Sequence, residues 1–186
     1  MKKLLRAPLA LALLLGVPAV AGAQVPALDR GSLLLDGQAS LTSAGVDGQD
    51  DRTTNLTLTP SIQYFVTRGL ALGADAVLGR SSSGDFTSTA YGIGPTATYY
   101  WILDANVHPF LSGSVLFGST NRETPVGEID SSETQLRGAV GLLFLLTDAV
   151  GVNTELFYAH RSLEVEDLEE DSDVYGLAVG ISAFIF

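Results

Sequence analysis

The chain has 186 residues, enough for one barrel or sandwich and too few for two separate cores. It contains no cysteine, which excludes disulfides and thiolate metal sites, and 21 acidic residues outnumber ten basic ones, for a net charge of −11. That balance argues against a nucleic-acid partner, whose phosphates need clustered Lys and Arg, and against docking onto an anionic membrane surface.

The first residues have the pattern of a secretory signal. Three basic residues precede an apolar run at 9–20, which the small residues 21–23 close. We therefore predict a cleaved signal peptide over 1–23 and one mature domain over 24–186. An uncleaved anchor is the alternative, but a glycine and a proline interrupt the run, which is short for a span. Removing three of the ten basic residues leaves seven arginines against all 21 acids, a net charge of −14.

After the leader, apolar and polar residues alternate with the period of two that is typical of strands. Leu56, Leu58 and Ile62, for example, share one face, and Thr57 and Thr59 lie on the other. Each such run is long enough for a tilted membrane-crossing strand of about 9 to 11 residues. We predict eight strands, over 31–43, 53–66, 69–81, 86–101, 107–119, 133–146, 149–161 and 173–186.

The connections between these strands alternate in length. Those at 67–69, 103–106 and 147–148 are short and poor in acids, whereas four others are longer and polar. Short turns at one rim and long loops at the other predict an all-β, eight-stranded, antiparallel up-and-down barrel.

The polar face of the strands indicates which side looks outward. A water-facing surface should be about 25 to 35% charged, yet this face carries Ser, Thr, Gly, Asn, Gln and Ala. Mid-strand charges occur only at Asp36, Asp75, Arg137 and Glu155. We therefore expect the apolar face to contact lipid and the polar face to line the interior of a transmembrane β-barrel.

The aromatic residues sort by strand direction, as the two interfacial belts of a membrane barrel require. One predicted belt contains Tyr64, Phe65, Tyr99, Tyr100, Trp101, Phe144, Phe184 and Phe186. The other contains Phe86, Tyr91, Phe117, Tyr158 and Tyr175. The last strand is apolar on both faces, so the sequence leaves its phase open.

Two stretches, PSIQYFVTRGLALGADAVLG at 60–79 and GPTATYYW with HPFLSGSVLFG within 94–118, resemble the outer-membrane β-barrel domain family. These are small bacterial proteins similar to the barrel of outer membrane protein A, and the resemblance covers 30–186. It implies a location in the cell outer membrane, with lipid and lipopolysaccharide as surroundings. Phe186 resembles the signal that the barrel-assembly machinery recognises, although the alternation before it departs from the usual register.

The four mid-strand charges form the predicted polar core of a barrel that its side chains fill. One arginine, Arg137, should pair with a carboxylate, because an unpaired buried charge is costly. The three acids, Asp36, Asp75 and Glu155, exceed it, so we predict trapped water or a protonated carboxyl beside them. A gated narrow ion path is the alternative to a purely structural core.

Most of the acids fall in the predicted long loops. They are Asp47, Asp50, Asp51, Asp85, Glu123, Glu128, Asp130 and Glu133, followed by the seven between 164 and 173. Solvated surface charge is the simple interpretation. A weak divalent-cation site is the alternative, although the spacing at 47–51 does not match an EF-hand loop and we predict no dedicated metal site.

The stretch His160-Arg161-Ser162 resembles the His-x-Ser element of lipid A deacylases. Such a site would use His160 as a base for Ser162, with a carboxylate orienting the histidine. A histidine at a strand end is more commonly an interface residue, and His108 lies by the opposite rim. We therefore expect a non-enzymatic barrel without cofactor and with a structural or surface-exposed role. A narrow channel or small-solute binder is the first alternative and a lipid hydrolase the second.

Overall fold

The computed structural model describes residues 25–45, 52–83, 86–124, 127–165 and 168–186. The predicted signal peptide at 1–23 lies outside this range. Eight strands make up almost all of it, and the order of elements is a short 3-10 turn, Pro26–Leu28, followed by β1 (Leu33–Gly45), β2 (Arg52–Thr67), β3 (Leu70–Ser83), β4 (Phe86–Tyr100), β5 (Val107–Thr124), β6 (Gly127–Leu145), β7 (Val150–Val165) and β8 (Leu168–Ile185).

The strands pair in sequence order and β8 pairs back to β1, which closes the barrel. All eight pairings are antiparallel, as in Leu33 opposite Tyr64 between β1 and β2. The predicted eight-stranded up-and-down barrel is therefore confirmed. Within the described ranges there is no helix with the length and apolarity that a membrane span requires.

The outer surface of the barrel is apolar and its interior is largely polar. Leu58, Leu72 and Val140 are each more than 40% exposed on the outside, as the strand pattern predicted. The last strand follows the same rule, since Leu177 and Ile181 point outward and the alternate side chains point inward. This arrangement, with apolar residues outside and polar residues inside, is that of a transmembrane β-barrel.

The rim that carries the short connections between β2 and β3, β4 and β5, and β6 and β7 is called the short-turn rim below. The opposite end is the hairpin rim, where the strands extend further than the sequence predicted. β5 and β6 pair as far as Thr124 and Gly127, and β7 and β8 as far as Val165 and Leu168. The predicted loops at 119–132 and 161–172 are thus mostly strand. Backbone pairing does not depend on side-chain polarity, so the strands continue after the apolar alternation has ended.

An apolar cluster, which we call the aromatic plug, packs inside the barrel at the short-turn rim. Its buried members come from the N-terminal turn and seven strands: Ala27, Leu28, Leu34, Phe65, Ala71, Tyr100, Phe110, Leu143 and Phe184. The prediction that Phe65, Tyr100 and Phe184 belong to a lipid-facing belt is wrong. Adjacent residues of a pleated strand face opposite sides, so Tyr64 points to lipid while Phe65 must point inward.

Backbone hydrogen bonds fasten the N-terminal turn to this rim. The Gly69 amide donates to the Leu28 carbonyl at 2.9 Å, and the Phe65 amide donates to the Ser32 carbonyl at 2.9 Å. Gly69 has a positive φ of 78°, a conformation that glycine adopts without strain. Arg68 also pairs with Asp29 at 3.4 Å on the surface.

The seam between β1 and β8 is the shortest pairing in the barrel. Residues 33–39 pair with residues 179–185, and within the described chain the ladder stops there. β1 nevertheless continues to Gly45 along β2, and β8 begins at Leu168 along β7. The two strands therefore separate toward the hairpin rim.

Candidate functional site in the barrel lumen

The middle of the lumen is occupied by a buried ion pair. Arg137 on β6 contacts Glu155 on β7 through its Nη2 atom, and both side chains are at least nine-tenths buried. Gln38 on β1 donates from Nε2 to Glu155 Oε2 at 3.1 Å. The guanidinium carbon of Arg137 also lies 4.6 Å from the centre of the Phe157 ring, a cation–π contact. Three strands thus hold one charge-paired layer across the barrel.

A second polar group lies on the short-turn side of that pair. The Asn153 amide donates to both oxygens of Asp36, at 3.0 and 2.9 Å, and to the Ser182 hydroxyl at 2.9 Å. This group spans the seam, because Asp36 belongs to β1, Ser182 to β8 and Asn153 to β7. It fixes the closing register where a one-residue slip would turn Asp36 toward lipid.

Asp75, the fourth predicted core residue, is only 6% exposed and lines a small cavity with Asp36 and Glu155. The cavity measures about 20 Å³, which is sufficient for one water molecule. Gln63 lines the same cavity, and its Oε1 atom is buried without a hydrogen-bond partner among the described residues. The structure thus provides space and polar partners where the sequence predicts trapped water or a protonated carboxyl.

Above the ion pair, the lumen widens into a cavity of about 410 Å³ that we call the vestibule. It extends toward the hairpin rim, and Arg137, Phe157 and Leu116 lie at its inner end. Small hydroxyl side chains form much of its wall, namely Ser40, Thr57, Thr59, Ser81, Ser88, Thr120 and Ser131.

A second ion pair lies in the vestibule wall. Arg161 Nε is 3.4 Å from Glu133 Oε1, and the Thr120 hydroxyl donates to Glu133 Oε2 at 3.0 Å. Arg137 and Arg161, two of the three arginines in the lining, therefore each have a carboxylate partner.

His160 lies on the outer surface instead, beyond the aromatic belt that contains Tyr158 and Tyr175. Its Nδ1 atom is 2.8 Å from Asp173 Oδ1, and the Tyr158 hydroxyl donates to the same oxygen at 2.7 Å. The hydrogen bond that the His160 ring donates to Asp173 raises the pKa of His160 above its usual range, and the same contact lowers the pKa of Asp173. Nε2 of His160 is 4.0 Å from Asp171 Oδ1.

His160 and Ser162 share the outer face of β7, and the structure supplies a carboxylate that orients His160. His108 is fully buried near the short-turn rim and accepts a 3.3 Å hydrogen bond at Nδ1 from the Leu103 amide. Among the described residues, no three His, Cys, Asp or Glu side chains are placed to hold a metal ion.

The predicted acidic surface is only partly within the described range. Glu133 faces the vestibule and Asp171 and Asp173 surround His160. Asp47, Asp50, Asp51, Asp85, Glu166 and Asp167 lie outside the described residues, and so do the side chains of Glu123, Glu128, Asp130, Glu164, Glu169 and Glu170.

Sequence reasoning missed Gln38 and Asn153, which connect the predicted charges to each other. Both occupy the polar phase of their strands, so the alternation could have placed them inside. It could not have identified them as hydrogen-bond partners, because contacts between β1 and β7 depend on barrel closure.

The fold and its polarity define the class: an eight-stranded transmembrane β-barrel. No protein-family model matches the sequence, and no curated protein matches it. Solved structures do match. The Neisserial surface protein A is 15% identical over 83% of this chain and 99% of that one, with a TM-score of 0.66.

Two structures from Pseudomonas aeruginosa are also similar. The N-terminal β-barrel domain of OprF is 11% identical, with a TM-score of 0.57, over 84% of this chain and 98% of that one. The outer membrane protein OprG is 10% identical, with a TM-score of 0.54, over 84% and 97%. The resemblance to small eight-stranded outer-membrane barrels is thereby confirmed at the level of the fold.

Proposed function

We propose that the chain is a barrel of the bacterial outer membrane with a structural, surface-exposed role and no open pore. The aromatic plug supports this proposal most directly. Leu28 and Phe65 have no exposed surface, and with their neighbours they fill the lumen at the short-turn rim. The Arg137–Glu155 pair forms a second barrier between the vestibule and the plug.

The hairpin rim would then provide the contact surface. The acid-rich hairpins of the chain suit ions, cations bound to lipopolysaccharide, or a protein partner, because clustered carboxylates attract hard cations. Phe186 would serve as the signal for the barrel-assembly machinery during insertion.

One experiment tests this role on a single sample. A folded barrel from the outer-membrane fraction should change its gel mobility on boiling, and the same folded sample should give no stepwise conductance in planar bilayers. Recovery of the processed chain in a soluble periplasmic fraction would refute the membrane location. Regular conductance steps would favour the alternative of a narrow channel, whose path would have to pass Arg137.

A lipid hydrolase is a second candidate, because Asp173 contacts His160 as an orienting carboxylate would. The position of Asp171 near Nε2, the nitrogen that a serine nucleophile would use, makes an interfacial role the stronger interpretation. We therefore expect lipid A to remain intact after incubation with the purified barrel. Acyl release that disappears in both His160→Ala and Ser162→Ala would establish the hydrolase.

A further inference from the structure

Toward the hairpin rim, β1 and β8 are not paired, and we call this stretch of the barrel wall the split. The proposed structural role does not explain it. Beyond residues 39 and 179, residues 40–45 of β1 and 168–178 of β8 remain paired to β2 and β7 but are not paired to each other. Strand edges present alternate N–H and C=O groups toward the missing neighbour. Such groups cannot stay unsatisfied in hydrocarbon.

The split begins at a level where lipid surrounds the barrel. Leu177 and Val179 point outward beside it and are both more than half exposed. Tyr175, one step nearer the hairpin rim, is 83% exposed, whereas its pairing partner Tyr158 is 51% exposed. The split therefore extends from the hydrocarbon region to the aromatic belt on the hairpin side.

The split also adjoins the vestibule. The lining of the vestibule includes Gln38 and Ser40 from β1, and Val174 and Ala178 from β8. These residues flank the split on both sides. The vestibule thus borders water at the hairpin rim and lipid at the split, while the ion pair and the plug close its inner end.

The chemistry of the vestibule favours an uncharged, hydroxylated group. Arg137 and Arg161, the two lining arginines on the inward phase of their strands, are already paired with Glu155 and Glu133. The third lining arginine, Arg80, is exposed and shares the outward phase of Leu78 on β3, so an ion of either sign would lack a free counter-charge inside. Hydroxyl side chains both donate and accept, as the hydroxyls of a polyol do. Gln135 also lines the vestibule and is only 6% exposed.

We propose that the vestibule and the split form one binding site for an uncharged amphiphile with a hydroxylated head and a single hydrocarbon chain. The head occupies the vestibule, where it meets the hydroxyl wall and Gln135. The chain passes through the split and lies against Leu177 on the lipid side. Hydroxyls at the neck of the molecule satisfy the unpaired backbone groups of β1 and β8. A volume of about 410 Å³ suits a head of this kind.

Glycerol monodecanoate is a suitable probe, because it has a neutral diol head and one chain. The mature barrel is placed in phosphatidylcholine nanodiscs, and binding of the radiolabelled probe is compared with empty nanodiscs. We expect saturable binding of about one molecule per barrel. Glycerol, which lacks the chain, and decanoate, which has an anionic head, should bind at least about ten-fold more weakly.

The split itself is tested with the double variant Ser40→Cys and Ala178→Cys, which would lie opposite each other if the ladder continued. The chain contains no cysteine, so the new disulfide would be the only one. Oxidation should lower binding of the probe about ten-fold relative to the same variant when reduced. If the disulfide does not form, Ser88→Trp fills the vestibule from β4 and should have the same effect, whereas Leu78→Trp on the lipid face of β3 should not.

Three results would overturn this proposal. Binding no greater than in empty nanodiscs would leave the vestibule as a water-filled recess. Binding that survives oxidation would mean that the probe does not use the split. A dimer that dissociates when the disulfide forms would show that the free edges add a strand from a second copy. Conductance on the same nanodisc preparation, reconstituted into bilayers, tests the closed-pore role separately.

Discussion

The two halves of the lumen differ in how densely their side chains fill the barrel. The short-turn half is packed with aromatic and aliphatic side chains and is held by the N-terminal turn. The hairpin half leaves about 410 Å³ among small hydroxyls. The Arg137–Glu155 pair separates them. Dense packing and open space are thus divided between the two ends of one barrel.

Substitutions at the Arg137–Glu155 pair, which separates the halves, should lower the free energy of unfolding most. Arg137→Ala leaves Glu155 buried without its partner, and we expect it to lower the free energy of unfolding by about 3–5 kcal/mol. Denaturant unfolding in lipid vesicles measures this loss. Arg68→Ala, which removes an ion pair with about a third of each side chain exposed, should cost under about 1 kcal/mol.

Replacing both members of the boundary pair refines this test. Arg137→Met with Glu155→Leu should recover most of the lost stability, since no charge is then left alone. Unchanged stability in Arg137→Ala would instead place Arg137 outside the core.

Substitutions in the packed half should have the next largest effect on the free energy of unfolding. Leu28→Ala creates a cavity in the aromatic plug and should lower the free energy of unfolding by about 2–5 kcal/mol. Leu78→Ala, on the lipid-facing surface, is the matched control, because lipid chains can fill the vacated space. Equal losses in the two variants would show that the N-terminal turn does not contribute to packing.

A glycine on β6 leaves space for the Phe110 ring in the packed half. A Cβ atom at Gly141 would come within 2.4 Å of Phe110 Cζ in the plug and within 2.4 Å of the Thr154 carbonyl. Gly141→Ala should therefore cost about 1–3 kcal/mol through overpacking. Gly138 lies three residues earlier on the outward face of the same strand, and a Cβ there meets nothing within 4 Å. Gly138→Ala should therefore unfold at the same denaturant concentration as the parent.

The smallest effect lies on the outside of the hairpin half. Because the hydrogen bond to Asp173 raises the pKa of His160, the contact adds stability below the ordinary histidine pKa of about 6.5. That contribution is lost as the pH rises through the elevated pKa. Since the pKa of Asp173 is lowered, its own contribution is lost at the acid end, as the pH falls through that value.

An NMR titration of the His160 ring measures this directly. The midpoint in the parent should lie above that in Asp173→Asn, whereas the buried His108 should be unaffected by the substitution. Identical midpoints for His160 in the two proteins would mean that the contact does not persist in the bilayer.

The sequence alone is enough to predict which residues face the interior of the barrel. Alternation along each strand is enough to place Asp36, Asp75, Arg137 and Glu155 inside, because the pleat alone determines which face a residue occupies. The strand count follows from the alternating runs, and the topology follows from the connection lengths. The phase of β8 was left open because both of its faces are apolar, and only closure against β1 fixes it.

The packed half was harder to predict, for a physical reason. Leu28 belongs to a three-residue turn, which is too short to show any period. Phe65 and Tyr100 were assigned to a belt by their level along the barrel, although the pleat directs them inward. The split lies between strands β1 and β8, whose residues are more than a hundred positions apart in the sequence, so no local pattern can reveal it.

The composition of the aromatic plug has a consequence for the order of folding. Its side chains come from seven strands and from the segment that precedes the first of them. They meet only after the cylinder has closed, so the plug should be absent from the transition state for insertion. Interactions formed that late mainly retard the reverse reaction. Once the plug has formed, the barrel should therefore unfold from the bilayer slowly. Its rate of insertion need not differ from that of a variant without the plug.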